Sequence, residues 1–361
     1  MKQTIVLTGG GSAGHVTPNM AIIPKLREQQ ADIHYIGQRA GIERDLIAPL
    51  DVPYHAVSAG KLRRYLDLKN LTDVFRVGVG FVQSLAILRK LRPALLFSKG
   101  GFVSCPVVWA AWTLRIPVII HESDLTPGLA NKLSAPFATR FCYSFPETKR
   151  YLPAEKSVQT GIPIRESLRF GNPEQGREFC GFSDQKPVVL IMGGSLGAQA
   201  VNEAARSAFP ALRADFNVCH LCGDGHLDQQ FEQIDGYAQF EYVSEELPHL
   251  FALASIVISR AGATSLFELL ALRKPALLIP LPLTSSRGDQ ILNARSFEQQ
   301  GFCDMLEEER LTPETLVAEV RNTYARREQL QQNMQNANVT DGIERVLDVI
   351  RTASNVVKPE Q

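Results

Sequence analysis

The sequence lacks a long uncharged apolar segment. The stretch 102–114 is among the longest, and Arg115 follows it, whereas a transmembrane helix needs about 20 predominantly apolar residues. We therefore predict that the chain does not cross a bilayer. Cysteine is also scarce, with six residues dispersed over 361 positions. This excludes a disulfide-stapled scaffold and is typical of buried thiols in a reducing compartment.

An excess of charge of either sign is absent as well, since 38 Lys and Arg residues balance 38 Asp and Glu residues. This balance excludes strong attraction of the whole molecule to a polyanion. The two halves differ, however: residues 1–160 carry 20 basic and 11 acidic residues, and residues 161–361 carry 18 and 27. Nucleic acid is not an expected partner, because no aromatic residues are interleaved as stacking platforms and the second half is acidic.

Short apolar runs without polar alternation recur along the chain, separated by helical patterns. Strands of this kind are covered on both faces, which predicts parallel sheets in an α/β protein of doubly wound architecture. The runs are 4–7, 33–36, 94–97, 117–120, 188–192, 218–221, 256–258 and 276–279.

A strand followed by a glycine turn occurs twice, with Gly10 and Gly193 lying 183 residues apart. We predict two Rossmann-like domains that face a crevice, one over 1–160 and one over 161–340. Glycine and proline residues between 155 and 187 predict a linker without a helix. A helix over about 340–361 has an apolar stripe that needs a partner on one of the domains, and the N-terminal domain is a candidate.

The first glycine turn, residues 9–14, has the G-x-G-x-x-G spacing of dinucleotide-binding proteins. Binding of NAD also requires an acidic residue at the end of the second strand, which instead ends in Ile-Gly-Gln-Arg at 36–39, so no dinucleotide cofactor is expected. The turn predicts backbone N–H groups suited to an anion; a turn that only packs strand on helix is the alternative. His15 follows directly and is a candidate general base, unless it caps the helix or is merely solvated.

Two further turns predict anion-binding segments in the second half. Residues 193–197 form a glycine turn to which Ser195 adds a hydroxyl, and residues 259–265 lead into a helix. Glu268 lies three residues after Ser265, so both can face one side of that helix; a surface carboxylate near the helix N-terminus is the alternative. Arg165 could reach a phosphate between the domains or be solvated in the linker.

Cys219 and Cys222, with Asp224 and His226, have the spacing of a metal site. Residues 216–221 read as a buried strand, in which alternation sends the two cysteines to opposite faces. We therefore expect no metal and favour a structural role.

Eight basic residues but only two acidic ones lie between Lys61 and Arg92, around apolar residues at helical spacing. This combination predicts that a helix docks on an anionic membrane surface. A core helix with a solvated rim is the alternative.

Six segments carry a resemblance to a known family. In chain order they are 9–18 (GGGSAGHVTP), 99–104 (KGGFVS), His121 and Glu122 with 128–132 (GLANK), 161–165 (GIPIR), 193–198 (GGSLGA) with Asn202, and 260–263 (RAGA) with Glu268. Over nearly the whole chain they resemble the bacterial undecaprenyl-diphospho-muramoylpentapeptide β-N-acetylglucosaminyltransferases of glycosyltransferase family 28, the MurG family.

The resemblance implies a GT-B enzyme that is inverting, metal-independent and free of cofactors. Such an enzyme transfers GlcNAc from UDP-GlcNAc to the 4-hydroxyl of the muramoyl sugar of lipid I, which forms lipid II in peptidoglycan synthesis. The implied partners are the UDP-GlcNAc donor, the undecaprenyl-pyrophosphate-linked acceptor and an anionic membrane surface, with proteins of cell-wall synthesis and division as further possible partners. The implied location is peripheral, on the cytoplasmic face of the cell membrane.

The resemblance also implies roles for individual residues. His15 would be the catalytic base, Val243 would offer its backbone to uracil, and Glu268 would bind the ribose hydroxyls. The donor residues would be Ser12, Ala13, Gly14, Arg165, Gly194, Ser195, Val243, Ala263, Thr264, Ser265, Glu268, Asp289 and Gln290, of which the first three would also face the acceptor. The acceptor residues would be Gly100, Gly101, Glu122, Asp124 and Asn131. The membrane patch would comprise Leu71, Phe75, Phe81, Trp112, Lys69, Arg76 and Arg89.

The chain departs from the family pattern at three places. Residues 12–14 read Ser-Ala-Gly where the family often has Thr-Gly-Gly, Asp289 stands where Gln is frequent, and Asp124 stands where Asn is frequent. These positions would touch the sugar and the acceptor. A diacylglycerol glycosyltransferase of the same superfamily, a UDP-GlcNAc 2-epimerase and a non-catalytic sugar-nucleotide binder therefore stay as alternatives.

Overall fold

The computed structural model describes residues 3–60, 69–194, 198–337 and 342–355. Contacts divide the chain into two units, one of Met1–Arg165 with Thr340–Gln361 and one of Glu166–Val339. The strands are β1 (Thr4–Thr8), β2 (Asp32–Gln38), β3 (Tyr54–Val57), β4 (Leu95–Ser98), β5 (Val118–Glu122), β6 (Arg140–Tyr143), β7 (Ser157–Gln159), β8 (Val188–Met192), β9 (Asn217–Leu221), β10 (Tyr237–Phe240), β11 (Ala254–Ser259), β12 (Ala276–Leu278) and β13 (Asp304–Met305). The α-helices are α1 (Thr17–Glu28), α2 (Ile42–Ile47), α3 (Lys69–Leu91), α4 (Ser104–Thr113), α5 (Leu129–Ser134), α6 (Pro173–Cys180), α7 (Gln199–Leu212), α8 (Leu247–Leu253), α9 (Ala263–Leu272), α10 (Asp289–Gln299), α11 (Pro313–Ala325), α12 (Arg327–Asn336) and α13 (Gly342–Asn355).

The first unit contains a seven-stranded parallel sheet in the order β3-β2-β1-β4-β5-β6-β7. The strand order reverses between β1 and β4, which pair with Thr8 opposite Ser98. In open α/β sheets, ligands bind beyond the carboxyl ends of the strands at such a switch point. This order therefore brings the turn after β1 next to the turn after β4.

Both faces of this sheet are buried, as the uninterrupted apolar strands require. In β1, Ile5 and Leu7 point into one hydrophobic cluster with α1, whereas Val6 points into another with α3 and α4. The C-terminal helix α13 completes the first cluster with buried residues such as Val346 and Leu347. The predicted doubly wound α/β class is confirmed.

The second unit repeats the architecture with a six-stranded parallel sheet in the order β10-β9-β8-β11-β12-β13. Here the order reverses between β8 and β11. Val189 and Ile191 of β8 belong to a core that α7 and α11 cover. The turns after β8 and β11 consequently lie at the position where doubly wound domains bind their ligands.

The prediction of a helix-free linker between 155 and 187 is wrong. This segment contains β7 and the helix α6, which begins at Pro173. The side chain of Asn172 caps α6 by accepting hydrogen bonds from the backbone N–H groups of Glu174 (2.8 Å) and Gln175 (3.3 Å). Proline suits the first helical position, because its missing N–H has no intrahelical partner there.

We expect the stability of the protein to depend on pH through the buried His220. Its Nε2–H donates to Asn202 Oδ1 (2.9 Å), and its Nδ1 accepts from the Tyr237 hydroxyl (2.7 Å). Burial, more than the nearby Arg206, lowers the pKa of His220 to about 3. Below its usual pKa of about 6.5, the unfolded chain binds a proton that the folded chain does not. The free energy of unfolding should therefore fall by about 1.4 kcal/mol per pH unit, from about pH 6.5 down to about pH 3, on account of this histidine.

Urea unfolding at pH 7.5, 6.0 and 5.0 measures this dependence. A His220→Gln variant should lose the share of the slope that belongs to this residue. An equal slope in the variant would mean that His220 is not the source.

Candidate active site

The glycine turn after β1 leads through a short 3-10 turn, Ala13–His15, into α1. Two buried side chains anchor its start: the Tyr35 hydroxyl donates to the Gly9 carbonyl oxygen (2.7 Å), and the Asn19 amide donates to the Thr8 carbonyl oxygen (3.2 Å). His15, at the end of the 3-10 turn, is half-buried. The turn therefore presents His15 at the switch point of the first sheet.

The hydrogen bonds of His15 define its neutral tautomer. Its Nδ1 lies 3.1 Å from the carbonyl oxygen of Gly10 and 3.2 Å from the hydroxyl oxygen of Ser12. Because a carbonyl oxygen only accepts, Nδ1 must carry the hydrogen. Nε2 then holds the lone pair, as a general base requires.

Glu43, which lies in α2, contacts this turn although no sequence motif indicated it. Its carboxylate is fully buried and accepts hydrogen bonds from the N–H groups of Gly11 (3.1 Å) and Gln38 (2.9 Å). The N–H of Gly10 donates to the Gly100 carbonyl oxygen (3.3 Å). The expectation that the turn offers these amides to an anionic ligand is therefore wrong for Gly10 and Gly11, because the chain itself occupies both.

The turn after β4 packs against the glycine turn. Gly100 and Gly101 have φ values of +95° and +83°, and a Cβ at Gly101 would overlap the carbonyl oxygen of Gly10. The structure thus places Gly100 and Gly101, the two candidates for binding the acceptor substrate, against Gly10, whose carbonyl oxygen is hydrogen-bonded to His15. Lys99 is fully buried beneath them and donates to the Ser123 hydroxyl; burial lowers the pKa of Lys99 to about 8.

Glu122 ends β5 and shapes the loop that follows. Its oxygens accept from the N–H groups of Asp124 (3.0 Å) and Gly128 (2.9 Å) and from the Asn131 amide (2.9 Å). Burial raises the pKa of Glu122, while Lys99 and the hydrogen bonds oppose that shift. Since both oxygens of Glu122 are bonded within the chain, this geometry favours loop positioning over ligand contact for Glu122. Asp124 is half-buried in the same loop.

The second unit brings the starts of two helices together at the carboxyl edge of its sheet. The Gln290 side-chain oxygen, in the first turn of α10, accepts from the N–H groups of Ala261 (3.2 Å) and Leu281 (3.1 Å). Asn293 donates to the Ala261 carbonyl oxygen (3.3 Å). The loop that leads into α9 is therefore held against α10, and the side-chain oxygen of Gln290 has a structural role, since it binds two backbone N–H groups.

The other donor candidates lie around these helix starts. Ala263, Thr264 and Ser265 form the first turn of α9, and Glu268, one turn further, is buried. Asp289 forms an ion pair with Arg287 (2.5 Å) at the start of α10.

Four candidates lie on other segments. Gly194 is exposed in the turn after β8 with a φ of +92°, and Val243 is buried between β10 and α8. Arg165 is the last residue of the first unit. Ser195 lies outside the described residues.

The cysteines of the C-x-x-C spacing have partners within the protein. The Cys219 thiol is hydrogen-bonded to Cys180, and the Cys222 thiol donates to the Phe240 carbonyl oxygen (3.3 Å). Burial raises the pKa of Cys222. In the described part of the chain, no group of three or more His, Cys, Asp or Glu residues has the arrangement of a metal site.

The candidate membrane helix is α3, and its faces differ. Phe75 and Val82 are 74% and 65% exposed and lie seven residues apart, on one face with Arg89. Phe81 is partly buried against the core, so it is not an open member of the patch.

Of the remaining patch residues, Trp112 of α4 is 56% exposed and Arg76 of α3 pairs with Asp73 (3.7 Å). The side chains of Lys69 and Leu71 lie outside the described part. Among the described residues, no helix is long and apolar enough to span a membrane.

Two family domains match the sequence. Residues 5–143 match the glycosyltransferase family 28 N-terminal domain, and residues 188–346 match the glycosyltransferase family 28 C-terminal domain. The chain belongs to glycosyltransferase family 28. This confirms the family resemblance that the sequence motifs indicated.

Relatives of this family 28 glycosyltransferase carry the name UDP-N-acetylglucosamine–N-acetylmuramyl-(pentapeptide) pyrophosphoryl-undecaprenol N-acetylglucosamine transferase. The protein from Geobacillus kaustophilus is 52% identical over 99% of this chain and 100% of its own length. The protein from Lachnoclostridium phytofermentans is 54% identical over 97% of this chain and 98% of its own length.

Solved structures similar to this family 28 chain include Acinetobacter baumannii MurG, with a TM-score of 0.74 and 24% identity over 97% of this chain and 99% of the other. A putative UDP-N-acetylglucosamine 2-epimerase from Listeria monocytogenes gives a TM-score of 0.70 at 14% identity, over 100% of this chain and 98% of the other. At these identities, the similarity shows the fold alone.

Proposed function

We propose that the protein transfers GlcNAc from UDP-GlcNAc to the 4-hydroxyl of the muramoyl sugar of undecaprenyl-pyrophosphoryl-MurNAc-pentapeptide (lipid I), with inversion, and so forms lipid II. The observation that carries this proposal is the 52% and 54% identity, over nearly the full length of both chains, to transferases whose names state this donor and this lipid-linked acceptor. The epimerase alternative is not favoured, since the likeness at 14% identity extends to the fold alone. The diacylglycerol transferase is not favoured either, because the relatives' names state a different acceptor.

His15 is the general base of the proposed reaction. Inversion by single displacement requires a group that takes the proton of the acceptor hydroxyl as its oxygen attacks the anomeric carbon. The Nδ1–H tautomer, with Nδ1 bonded to the Gly10 carbonyl oxygen, supports this role because it leaves the lone pair on Nε2. Gly100 and Gly101 line the same switch point and are assigned to the acceptor.

The second unit supplies the groups for the nucleoside diphosphate. The first amides of α9 and the dipole of this ten-residue helix favour the negative charge that develops on the leaving UDP. Gly194, with its positive φ, permits close approach of the backbone to a phosphate. Glu268 is assigned to the ribose hydroxyls and Ser195 to the diphosphate.

Incubation of the purified protein with UDP-[14C]GlcNAc and lipid I tests the proposal. Radiolabel in a lipid that comigrates with lipid II is the expected result. Label on diacylglycerol alone would support the diacylglycerol transferase, and release of free ManNAc would support the epimerase. Absence of any labelled product across several detergents would contradict the proposal, whereas donor binding without turnover would indicate a sugar-nucleotide binder.

We further propose that the first unit docks on the anionic cytoplasmic face of the cell membrane through α3 and α4. The exposed Phe75 and Val82 on one face of α3, with Arg76 and Arg89 nearby in the sequence, combine apolar and basic side chains. Trp112 adds an exposed aromatic ring on α4. This combination is typical of helices that lie on anionic lipid surfaces.

Replacing Phe75 and Val82 together with Ser should weaken binding to vesicles that contain phosphatidylglycerol by about tenfold or more, because two apolar side chains no longer leave water. Vesicle cosedimentation measures this effect. Phe170→Ser is the matched control, since Phe170 is 77% exposed in the second unit. Turnover of a short-chain soluble acceptor should be nearly unchanged. An equal loss of vesicle binding and of turnover would mean that the two substitutions disturb the fold and do not act on a docking surface.

A further inference from the structure

A single peptide group connects Glu43 to His15. The N–H of Gly11 donates to Glu43 Oε2 (3.1 Å), and the carbonyl of the same peptide group, which belongs to Gly10, accepts from His15 Nδ1–H (3.1 Å). The carboxylate and the imidazole therefore occupy opposite ends of one polarisable amide. An acidic group in direct contact with a histidine is a common arrangement in enzymes; here a peptide group stands between the two.

The geometry of this connection is constrained on both sides. The Glu43 carboxylate is fully buried, and its second oxygen accepts from the N–H of Gln38 (2.9 Å). A Cβ at Gly10 would overlap the carboxylate, and Gly11 has a φ of +83°. Only this glycine pair lets the carboxylate approach the peptide group closely.

A buried negative charge at the N–H end strengthens the carbonyl at the other end as an acceptor, because hydrogen bonds in a chain polarise one another. When the Gly10 carbonyl oxygen is a stronger acceptor, the tautomer with the hydrogen on Nδ1 of His15 is favoured. The stronger acceptor also stabilises the imidazolium ion, which forms when Nε2 takes a proton. The effect on Nε2 is a higher basicity.

We propose that Glu43 is a positioning residue that acts on His15 through the Gly10–Gly11 peptide group, fixing the Nδ1–H tautomer and raising the basicity of Nε2. The inference rests on the proposed function, in which His15 is the base. In the step itself, the proton of the acceptor hydroxyl moves to Nε2 while the hydroxyl oxygen forms a bond to the anomeric carbon of GlcNAc. The bond between that carbon and the phosphate oxygen of UDP breaks, and its electron pair leaves with UDP. The hydrogens on Nδ1 and on Gly11 stay on their own atoms.

Other titratable groups surround the pair and set the pH range of the test. Tyr35 and Tyr54 are close enough to Glu43 for their charges to interact, and Arg44 and Asp45 act on Tyr54 in the same way. Lys99 lies against Gly9. Burial raises the pKa of both tyrosines above their usual value, so both stay neutral up to pH 9. Because burial lowers the pKa of Lys99 to about 8, the acid limb of the activity profile is the informative one.

The first experiment compares the pH dependence of kcat in the wild-type protein and in Glu43→Gln. The glutamine keeps the shape of the side chain but removes its charge. One of its two terminal atoms is an amide nitrogen, which no longer accepts a hydrogen bond. We expect kcat at pH 7.5 to fall about tenfold, as for other groups that orient a functional histidine. The acid limb should move to lower pH by about 0.5 to 1 unit, while KM for UDP-GlcNAc changes by less than about twofold. A lower kcat with an unmoved acid limb would overturn the proposal.

The second experiment observes His15 directly and needs no turnover. The chain has seven histidines; in 15N-histidine-labelled protein, the signal of His15 is the one missing from His15→Gln. At pH 8 we expect the Nδ1–H tautomer in the wild type and a titration midpoint that moves to lower pH in Glu43→Gln. An Nε2–H tautomer in the wild type would overturn the proposal even if the variant failed to fold.

Asp304→Asn is the matched control. Asp304 is a buried carboxylate of the second unit, bonded to Thr323 (2.9 Å) and Arg326, so its loss destabilises the fold without altering the first unit's turn. The His15 signal should be unchanged in this variant. Full transfer activity in His15→Ala would contradict the role of His15 as the base. The NMR measurement would still show whether Glu43 affects the tautomer and the titration of His15.

Discussion

Replacement of His15 by Ala is expected to lower kcat for transfer to lipid I by about 10²- to 10⁴-fold, the usual contribution of a positioned general base. The expectation follows from the tautomer: Nδ1 donates to the Gly10 carbonyl oxygen, which makes Nε2 the proposed proton acceptor. KM for UDP-GlcNAc should change by less than about twofold, since the proposed base acts on the acceptor. Steady-state kinetics with radiolabelled donor measure both constants.

His34→Ala is the control for this substitution. His34 belongs to the same unit but lies near the start of β2, where it contacts His55 (3.0 Å) and Asp32 (3.2 Å). Its loss should leave kcat within about twofold of the wild type. A His15→Ala protein as active as this control would remove His15 from the mechanism.

Replacement of Gly101 by Ala is expected to lower both stability and activity. A residue with a side chain is strained at the φ of +83° by about 1–2 kcal/mol, and its Cβ would overlap the Gly10 carbonyl oxygen. We expect a total loss of about 2–3 kcal/mol in the free energy of unfolding, since overpacking adds to the strain. Because Gly10 holds the His15 ring, kcat should fall about 10²-fold, the cost of displacing a reacting group by about 1 Å.

Gly78→Ala provides the opposite control. Gly78 lies exposed within α3, has no neighbour within 4 Å of an added Cβ, and is in a helix interior where Ala is favoured by about 0.5–1 kcal/mol. Urea unfolding should show a small gain in stability, and turnover of a soluble acceptor should be unchanged. If Gly101→Ala behaved like Gly78→Ala, the close packing of the two turns would not matter for catalysis.

The apolar runs predicted the central strands and overlooked the outer ones. All eight runs lie in strands or overlap them, from β1 at Thr4–Thr8 to β12 at Ala276–Leu278. The five strands that the pattern missed are the edge strands of both sheets, β3, β7, β10 and β13, together with β6 beside an edge. Strands at a sheet edge are covered less completely, so their sequences need no continuous run of Val, Ile and Leu.

The glycine turn shows why motif reasoning reached His15 but not Glu43. His15 follows the turn directly, so its position could be inferred from local spacing alone. Glu43 lies 32 residues from Gly11, on the short helix after β2, and reaches the turn only because β2 pairs with β1. Similarly, the Gly100 carbonyl oxygen meets the Gly10 N–H because β4 pairs with the other side of β1.

The sequence by itself therefore determined the α/β class, the two glycine turns and the membership of family 28, because each depends on local composition, periodicity or ordered motifs. Only the tertiary structure decided which partner each polar group has. The N–H groups of Gly10 and Gly11, which local pattern would assign to a bound anion, are occupied by Gly100 and Glu43. The physical reason is that hydrogen bonds between distant segments depend on the order in which the strands pair, and a local pattern does not contain that order.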